Sequence, residues 1–391
     1  MTPKVLTGLE SMIESPPKGP AGLKMGLLCN PASVDRGLTH AKTLLDRRFP
    51  GALQALYSPQ HGFFAEKQDN MIESDHMTDP DLGIPVFSLY GETRIPTRKM
   101  LDPIDILIID LQDVGTRVYT FIHTMSHCLE AAKRFGKKVI VCDRPNPVNG
   151  IAAEGPLLSL EYASFVGRHP IPMRHGLTMG ELALLFNREM SIGCELEVIP
   201  MKGWKRRMRF CDTGLPWVPP SPNMPIPETA MVYPGQVMWE GTNVSEGRGA
   251  TRPFEFFGAP FIRLEKLKIP RDRFPGILLR PAVFEPTSNK WSGETCFGFQ
   301  IHVTNFSIYR PYGVSLRLMA AIAKAFRDDF QWKSPPYEYE YERMPIDLIT
   351  GGPEARLAVE NGWDIDELER SRQKELDDFT KRSREFWLYD V

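Results

Sequence analysis

Between Met238 and Pro260 the chain reads MWEGTNVSEGRGATRPFEFFGAP, which gathers Glu240, Asn243, Glu246, Arg248 and Arg252 among four glycines. Carboxylates and guanidiniums at this density can move protons, stabilise a developing charge or clamp an anion. Almost no aliphatic side chain accompanies them, so a core strand is not expected here. Their donors and acceptors need water, a partner element or a polar ligand. Four further polar clusters lie upstream. Pro59-Gln60-His61-Gly62 is followed by Gln68, Asp69, Asn70 and Glu73, and Tyr90-Gly91-Glu92-Thr93-Arg94 comes next. The third holds Asp110, Gln112, Asp113, Thr116 and Arg117 and leads into Tyr119; the fourth runs Asp143-Arg144-Pro145-Asn146 to Asn149-Gly150.

Glycoside cleavage asks for a proton donor at the leaving oxygen and a group that stabilises or attacks the cationic sugar carbon. Asp110, Asp113, Asp143, Glu73, Glu92, Glu240 and Glu246 exceed that requirement, and Arg117, Arg144, Arg248 and Arg252 are available for ion pairs or an anionic substrate group. Which carboxylate is desolvated enough for acid work stays open at this level. A metal-dependent hydrolase is the rival, with His61, His123 or His127 beside Asp110 and Asp113; yet His123 and His127 are spaced i, i+4 on an apolar helix, where packing is the plainer role. No HExxH and no GxSxG occur, and Cys29 and Cys142 sit in apolar runs that suit buried thiols.

These clusters need a scaffold. Short apolar runs at 24–30, 52–58, 85–89, 104–110 and 137–143 read as buried strands, and helical spacing at 39–49 and 119–135 lies between them. That alternation predicts βαβ units and a mostly parallel, Rossmann-like α/β sheet, with four polar clusters at strand carboxyl ends converging on one rim. Singly, each cluster reads as a turn with a helix cap; four together read as a site. No G-x-G-x-x-G follows the first strand, so a dinucleotide cofactor is not expected, nor is any other. Farther on, helices are expected over 178–190, 313–330 and 364–386, strands over 194–200 and 297–304, and an extended segment over 338–341. The six-proline run WVPPSPNMPIPETAMVYPG reads as a stiff extended loop. A lobe boundary near residue 160 divides a sheet domain, 1–160, from a second α/β domain, 161–391.

A formal charge of −2 gives no general attraction to nucleic acid. No window is apolar enough to span a membrane, and six cysteines without a CxxC suit a reducing compartment. Without a visible export signal, a cytoplasmic location is expected.

The motifs SPQHGF (58–63), SLYGETRIPT (88–97), DLQDVGTRVYTFIHTM (110–125), DRPNPVNG (143–150), PIPMRHGLTMGELA (170–183), PSPNMP (220–225) and EGTNVSEGRGATRPFEFFGAP (240–260) occur in this order. From about residue 22 to the C-terminus the chain resembles the DUF1343 family, which includes exo-acting β-N-acetylmuramidases. The resemblance implies a Rossmann-like domain joined to a second α/β domain with a cleft between them. It also implies release of N-acetylmuramic acid from the non-reducing end of a muropeptide or a MurNAc-GlcNAc disaccharide. On that reading Asp110 or Glu246 transfers the proton, with His61 and Glu73 as further catalytic candidates. Arg117, Arg144, Arg248 and Arg252 bind the anionic group, and Gln60, Asp113, Tyr119, Asp143, Asn146 and Asn243 contact the rest of the sugar. Many members resemble P-E-H-G where this chain has Pro59-Gln60-His61-Gly62. A glutamine cannot serve as an acid, which opens the alternative of a sugar-binding member without turnover.

Overall fold

Apolar runs of four to six residues face water on neither side, and the chain buries them as the centre of one sheet. In this computed structural model, which describes residues 5–17, 22–68, 71–269 and 274–391, Asp69 and Asn70 of the loop after Ser58 lie outside the described residues. The first elements are α1 (Gly8–Glu14), β1 (Met25–Cys29), α2 (Ala41–Arg48), β2 (Leu53–Ser58), β3 (Met77–Thr78), β4 (Pro85–Ser88), α3 (Arg98–Leu101), β5 (Ile106–Asp110), α4 (Phe121–Phe135) and β6 (Lys138–Cys142). A hairpin of β7 (Glu154–Leu157) and β8 (Pro172–Arg174) precedes α5 (Met179–Glu189) and β9 (Leu196–Ile199). Strand order is β3-β4-β2-β1-β5-β6-β9, parallel throughout except for the β3–β4 pair. Without that edge strand, this is the doubly wound order in which ligands gather beyond the strand carboxyl ends.

Local chemistry places the helix ends. Gly136, in the left-handed region, closes α4 by donating to the carbonyls of Ala132 and Lys133. Thr178 and Glu181 cap α5 reciprocally. β9 pairs with β6 from Val139↔Leu196 to Cys142↔Ile199, so the sheet continues past residue 160. A cut there would remove β9 and leave the buried β6 as an open edge.

The remainder comprises α6 (Pro227–Gln236), β10 (Phe256–Ala259), β11 (Ile277–Phe284), β12 (Cys296–Val303), α7 (Pro311–Ala325), α8 (Pro345–Thr350), α9 (Glu354–Asn361) and α10 (Ile365–Ser383). The antiparallel order is β10-β12-β11. Three expectations change here. The proline run is not extended to its end, because Pro227 falls in the first turn of α6, where a missing N–H costs nothing. The polar strip does contain a core strand: β10 is wholly buried, paired in register with Phe297–Gln300 of β12. Residues 338–341 are not extended either. Tyr337 and Glu340 exchange backbone hydrogen bonds of 2.9 and 3.0 Å around Glu338 and Tyr339, closing a tight turn.

One hydrophobic cluster runs through both halves, from Leu107, Ile109 and Ile122 to Met231, Trp239, Phe257 and Leu316. Trp239 stacks on Phe257 at 5.2 Å. The backbone of α8 lies directly on Gly241, where an added Cβ would come within 2.8 Å of Ile346 Cα. That contact anchors the polar strip.

Candidate active site

Past the end of β2 the backbone reverses through His61 (φ 79°) and Gly62 (φ 85°). The left-handed backbone at position 62 is what calls for glycine there. His61 Nδ1 lies 2.8 Å from the Lys67 carbonyl. A carbonyl only accepts, so Nδ1 carries the hydrogen and Nε2 is the acceptor. Burial pushes the imidazole down to about 4, helped by the Arg248 charge and opposed by the Lys67 bond and Glu240. His61 is therefore neutral at physiological pH.

Gln60 holds the centre. Its Oε1 accepts from Thr120 Oγ1 at 2.7 Å, and its Nε2 donates to Glu338 Oε1 at 3.0 Å. Glu338 also accepts from the Tyr90 hydroxyl at 2.6 Å. Burial raises its pKa; hydrogen bonds from Tyr90 and Gln60 pull the other way, and the Glu240 charge adds to the rise. Glu338 (φ 47°) and Tyr339 (φ 66°) both adopt left-handed backbone, a costly conformation for such side chains.

Glu240, in the single turn Val237–Gly241 after α6, faces the same space. It accepts from Arg248 Nη2 and from the Tyr337 hydroxyl, each at 2.7 Å. Burial alone would raise it, but the Arg248 charge and these bonds hold it below the usual carboxylate range. Behind Arg248, Glu246 lies 3.3 Å from Nε and accepts from Lys290 Nζ at 2.7 Å. Gln60, His61, Tyr119, Ser221, Tyr233, Glu240, Arg248, Tyr337 and Glu338 thus line one cavity where the two halves meet. Its free volume is about 30 Å³. Larger hollows lie elsewhere: one of about 350 Å³ between β7 and α10, and one of about 680 Å³ lined by Asn149, Arg174 and α10, with Arg310 among the residues they share. Size favours those two; the convergence of opposed carboxylates, imidazole and amide favours the seam.

Of the residues singled out in the sequence, Gln60, His61, Tyr119, Glu240 and Arg248 line the cavity, with Glu246 directly behind. The others have different work. Asp110 is gripped by Arg144 through bonds of 2.6 and 2.7 Å, both side chains buried in the sheet rim. Asp143 accepts from Thr178 Oγ1 and Gly180 N–H, each at 2.7 Å, and fixes the start of α5. Asn146 spans Leu177 and Val148. Asp113 accepts from the Gly115 N–H at 2.6 Å. Arg117 donates to the carbonyls of Pro156, Ile171 and Ile349, and burial lowers it to about 10. Asn243 ties the strip to Asp329 and Gln331. Arg252 is solvent-facing, 3.6 Å from Glu255, and Glu73 is exposed beside Tyr339.

Sequence reasoning missed Glu338, Tyr337, Thr120 and Ser221. The run Tyr337-Glu338-Tyr339-Glu340-Tyr341, alternating acid and ring, was the available signal. The rival nucleophiles and ligands are committed too. Burial pushes the Cys29 and Cys142 thiols up, and His123 Nε2 donates to the Arg117 carbonyl at 2.8 Å. Among the described residues, no three His, Cys, Asp or Glu side chains are grouped to hold a metal ion, and no helix is long and apolar enough to cross a membrane.

Comparison with known proteins identifies the family. Residues 25–228 match the family described as exo-β-N-acetylmuramidase NamZ, N-terminal, and residues 231–389 match its C-terminal counterpart. The chain is 42% identical over 389 residues to the peptidoglycan β-N-acetylmuramidase NamZ of Bacillus subtilis (strain 168), covering 99% of this chain and 92% of that protein. A crystal structure of a DUF1343 family protein from Bacteroides fragilis superposes with a TM-score of 0.88 at 34% identity, covering 99% of each chain. A second such protein from that organism gives 0.75 at 28%, again over 99% of each. With both family regions matched end to end across a two-part α/β fold, the chain belongs to the NamZ exo-β-N-acetylmuramidase family, called DUF1343 in its solved structures.

Proposed function

We propose that this protein is a glycoside hydrolase that releases N-acetylmuramic acid from the non-reducing end of peptidoglycan fragments, with muropeptides or the MurNAc-GlcNAc disaccharide as substrates. One observation carries the assignment of its chemistry: two buried carboxylates share a cavity, and their surroundings drive them apart, Glu338 upward and Glu240 downward. That division separates an acid from an anion in glycoside hydrolysis. Glu338 gives its proton to the glycosidic oxygen as the C1–O bond breaks. Glu240, kept ionised by Arg248, faces the positive charge that develops at C1. Water adds to C1, and the proton it releases returns the site to its starting state. Gln60 positions Glu338, while the free Nε2 of His61 accepts from a sugar hydroxyl or from the water.

A cavity of about 30 Å³ holds a water molecule but no sugar ring. Catalysis on this reading therefore includes a widening of the seam. The cytoplasm is part of the proposal and is tested by cell fractionation.

Gln60 supports a second reading, a sugar-binding member without turnover, because an amide occupies the position where the family resemblance implies a glutamate. A chromogenic β-N-acetylmuramide separates the two. Release of the chromophore by the unmodified protein supports the hydrolase. Saturable binding with no release, and release gained on Gln60→Glu, supports the binding protein. Neither binding nor release sinks both.

A further inference from the structure

The four arginines that the sequence marks for an anionic substrate group are all engaged: Arg117 by three carbonyls, Arg144 by Asp110, Arg248 by Glu240 and Glu246, and Arg252 at the surface by Glu255. Arg94 is not. Its guanidinium carbon lies over three rings, 4.1 Å from the centroid of Tyr339, 4.8 Å from Tyr90 and 5.3 Å from Phe165. Its Nη2 is buried and, among the described residues, has no hydrogen-bond acceptor. No carboxylate among them forms an ion pair with it.

Each ring of the cage is bonded to, or next in sequence to, a residue that lines the cavity. The Tyr90 hydroxyl donates to Glu338, Tyr339 follows Glu338 in the strained turn, and Phe165 precedes Val166, which lines the cavity wall. The Arg94 charge also acts on the Glu338 carboxylate. Rings over a guanidinium's faces exclude water there and leave its in-plane donors for a planar, two-oxygen acceptor. We propose that Arg94, held by Tyr90, Phe165 and Tyr339, is the specificity residue that binds the carboxylate of the sugar's lactyl ether and so selects muramic acid over neutral amino sugars. The proposal rests on the muramic-acid reading above and adds which residue does the selecting. An Arg–carboxylate pair removed from water accounts for a large preference, whereas an exposed pair would not.

Equilibrium binding tests it without requiring turnover. N-acetylmuramic acid and N-acetylglucosamine are titrated into the unmodified protein, Arg94→Met and Arg94→Lys. The unmodified protein is expected to prefer the muramic acid, and Arg94→Met to lose about 10- to 100-fold in that affinity while binding of the neutral sugar stays within about twofold. Arg94→Lys, a point charge without the fork, retains part of the preference. The two chromogenic glycosides then read the same difference in KM. Equal losses for both sugars would mean that Arg94 only staples the three rings, and would overturn the proposal. So would an unmodified protein that binds both alike. Normal selective binding without cleavage would leave the role of Arg94 standing and remove only the hydrolase assignment.

Discussion

Glu338 and Glu240 have identical side chains and share one cavity, yet their neighbours treat them in opposite ways. Glu338 receives hydrogen bonds from a phenol and an amide, neither of which offsets its burial; Glu240 receives one from a guanidinium, which does. The signs fix a pH profile. Turnover needs Glu338 protonated, so kcat falls as pH rises through a pKa above the ordinary glutamate value. It needs Glu240 ionised, so kcat falls again only as pH drops below that value. Glu338→Gln is expected to lower kcat by about 10²- to 10⁴-fold and to abolish the alkaline limb. A limb that survives in this variant would transfer the acid role to another group. The sequence revealed the partners of Glu338 but not Glu338 itself. Gln60 and His61 follow a strand end and Arg248 sits among glycines, both local signals. The hydrogen bond from Gln60 to Glu338 spans 278 positions, and no local pattern records it.

At the scale of elements, strand ends do gather polar residues as the alternation of apolar runs implies, but Asp110, Arg144, Asp143 and Asn146 of that rim are engaged in buried contacts. The parallel strands of the large sheet were legible to within one or two residues because buried parallel strands are continuous apolar runs, whereas β7, β8, β10 and β11 were not. The α6 helix was not, because Pro227 and Pro234 look like breakers until packing on α7 supplies the stabilisation. Nor does composition distinguish a carboxylate that binds sugar from one that seats a helix. Asp143 is of the second kind: Thr178, Gly180 and Tyr389 all donate to it at the start of α5. Asp143→Ala leaves those buried donors unanswered and is expected to cost about 3 kcal/mol or more of stability, with KM unchanged for substrate. Burial raises Asp143 to about 6, partly opposed by Tyr389. A raised carboxyl contributes stability below its unfolded pKa and loses it as pH rises through the folded value. The thermal midpoint of the unmodified protein should therefore gain a downward slope from this group between roughly pH 4 and 6. Asp143→Asn, fixed in the neutral form, should flatten that slope. An altered KM in either variant would return Asp143 to the sugar site.

The whole molecule supplies what neither half contains. Gln60, His61 and Thr120 come from the sheet, Glu240 and Arg248 from the polar strip, and Glu338 from a turn near the far end of the chain, all resting on one continuous hydrophobic core. A seam with about 30 Å³ of free volume is too small for a sugar ring, yet it already holds the hydrogen-bonded Glu338 and Glu240 in place. On the proposed reading ligand binds between the halves, and its free energy appears as stabilisation of both. At one hundred times its Kd, N-acetylmuramic acid should add about 2.7 kcal/mol to unfolding. In hydrogen exchange, the amides around His61 and those of the 337–340 turn should become protected together, with the same ligand-concentration midpoint, because they close on the same molecule. Protection confined to one of these segments would place the sugar on a single half and remove the basis for an active site at the seam.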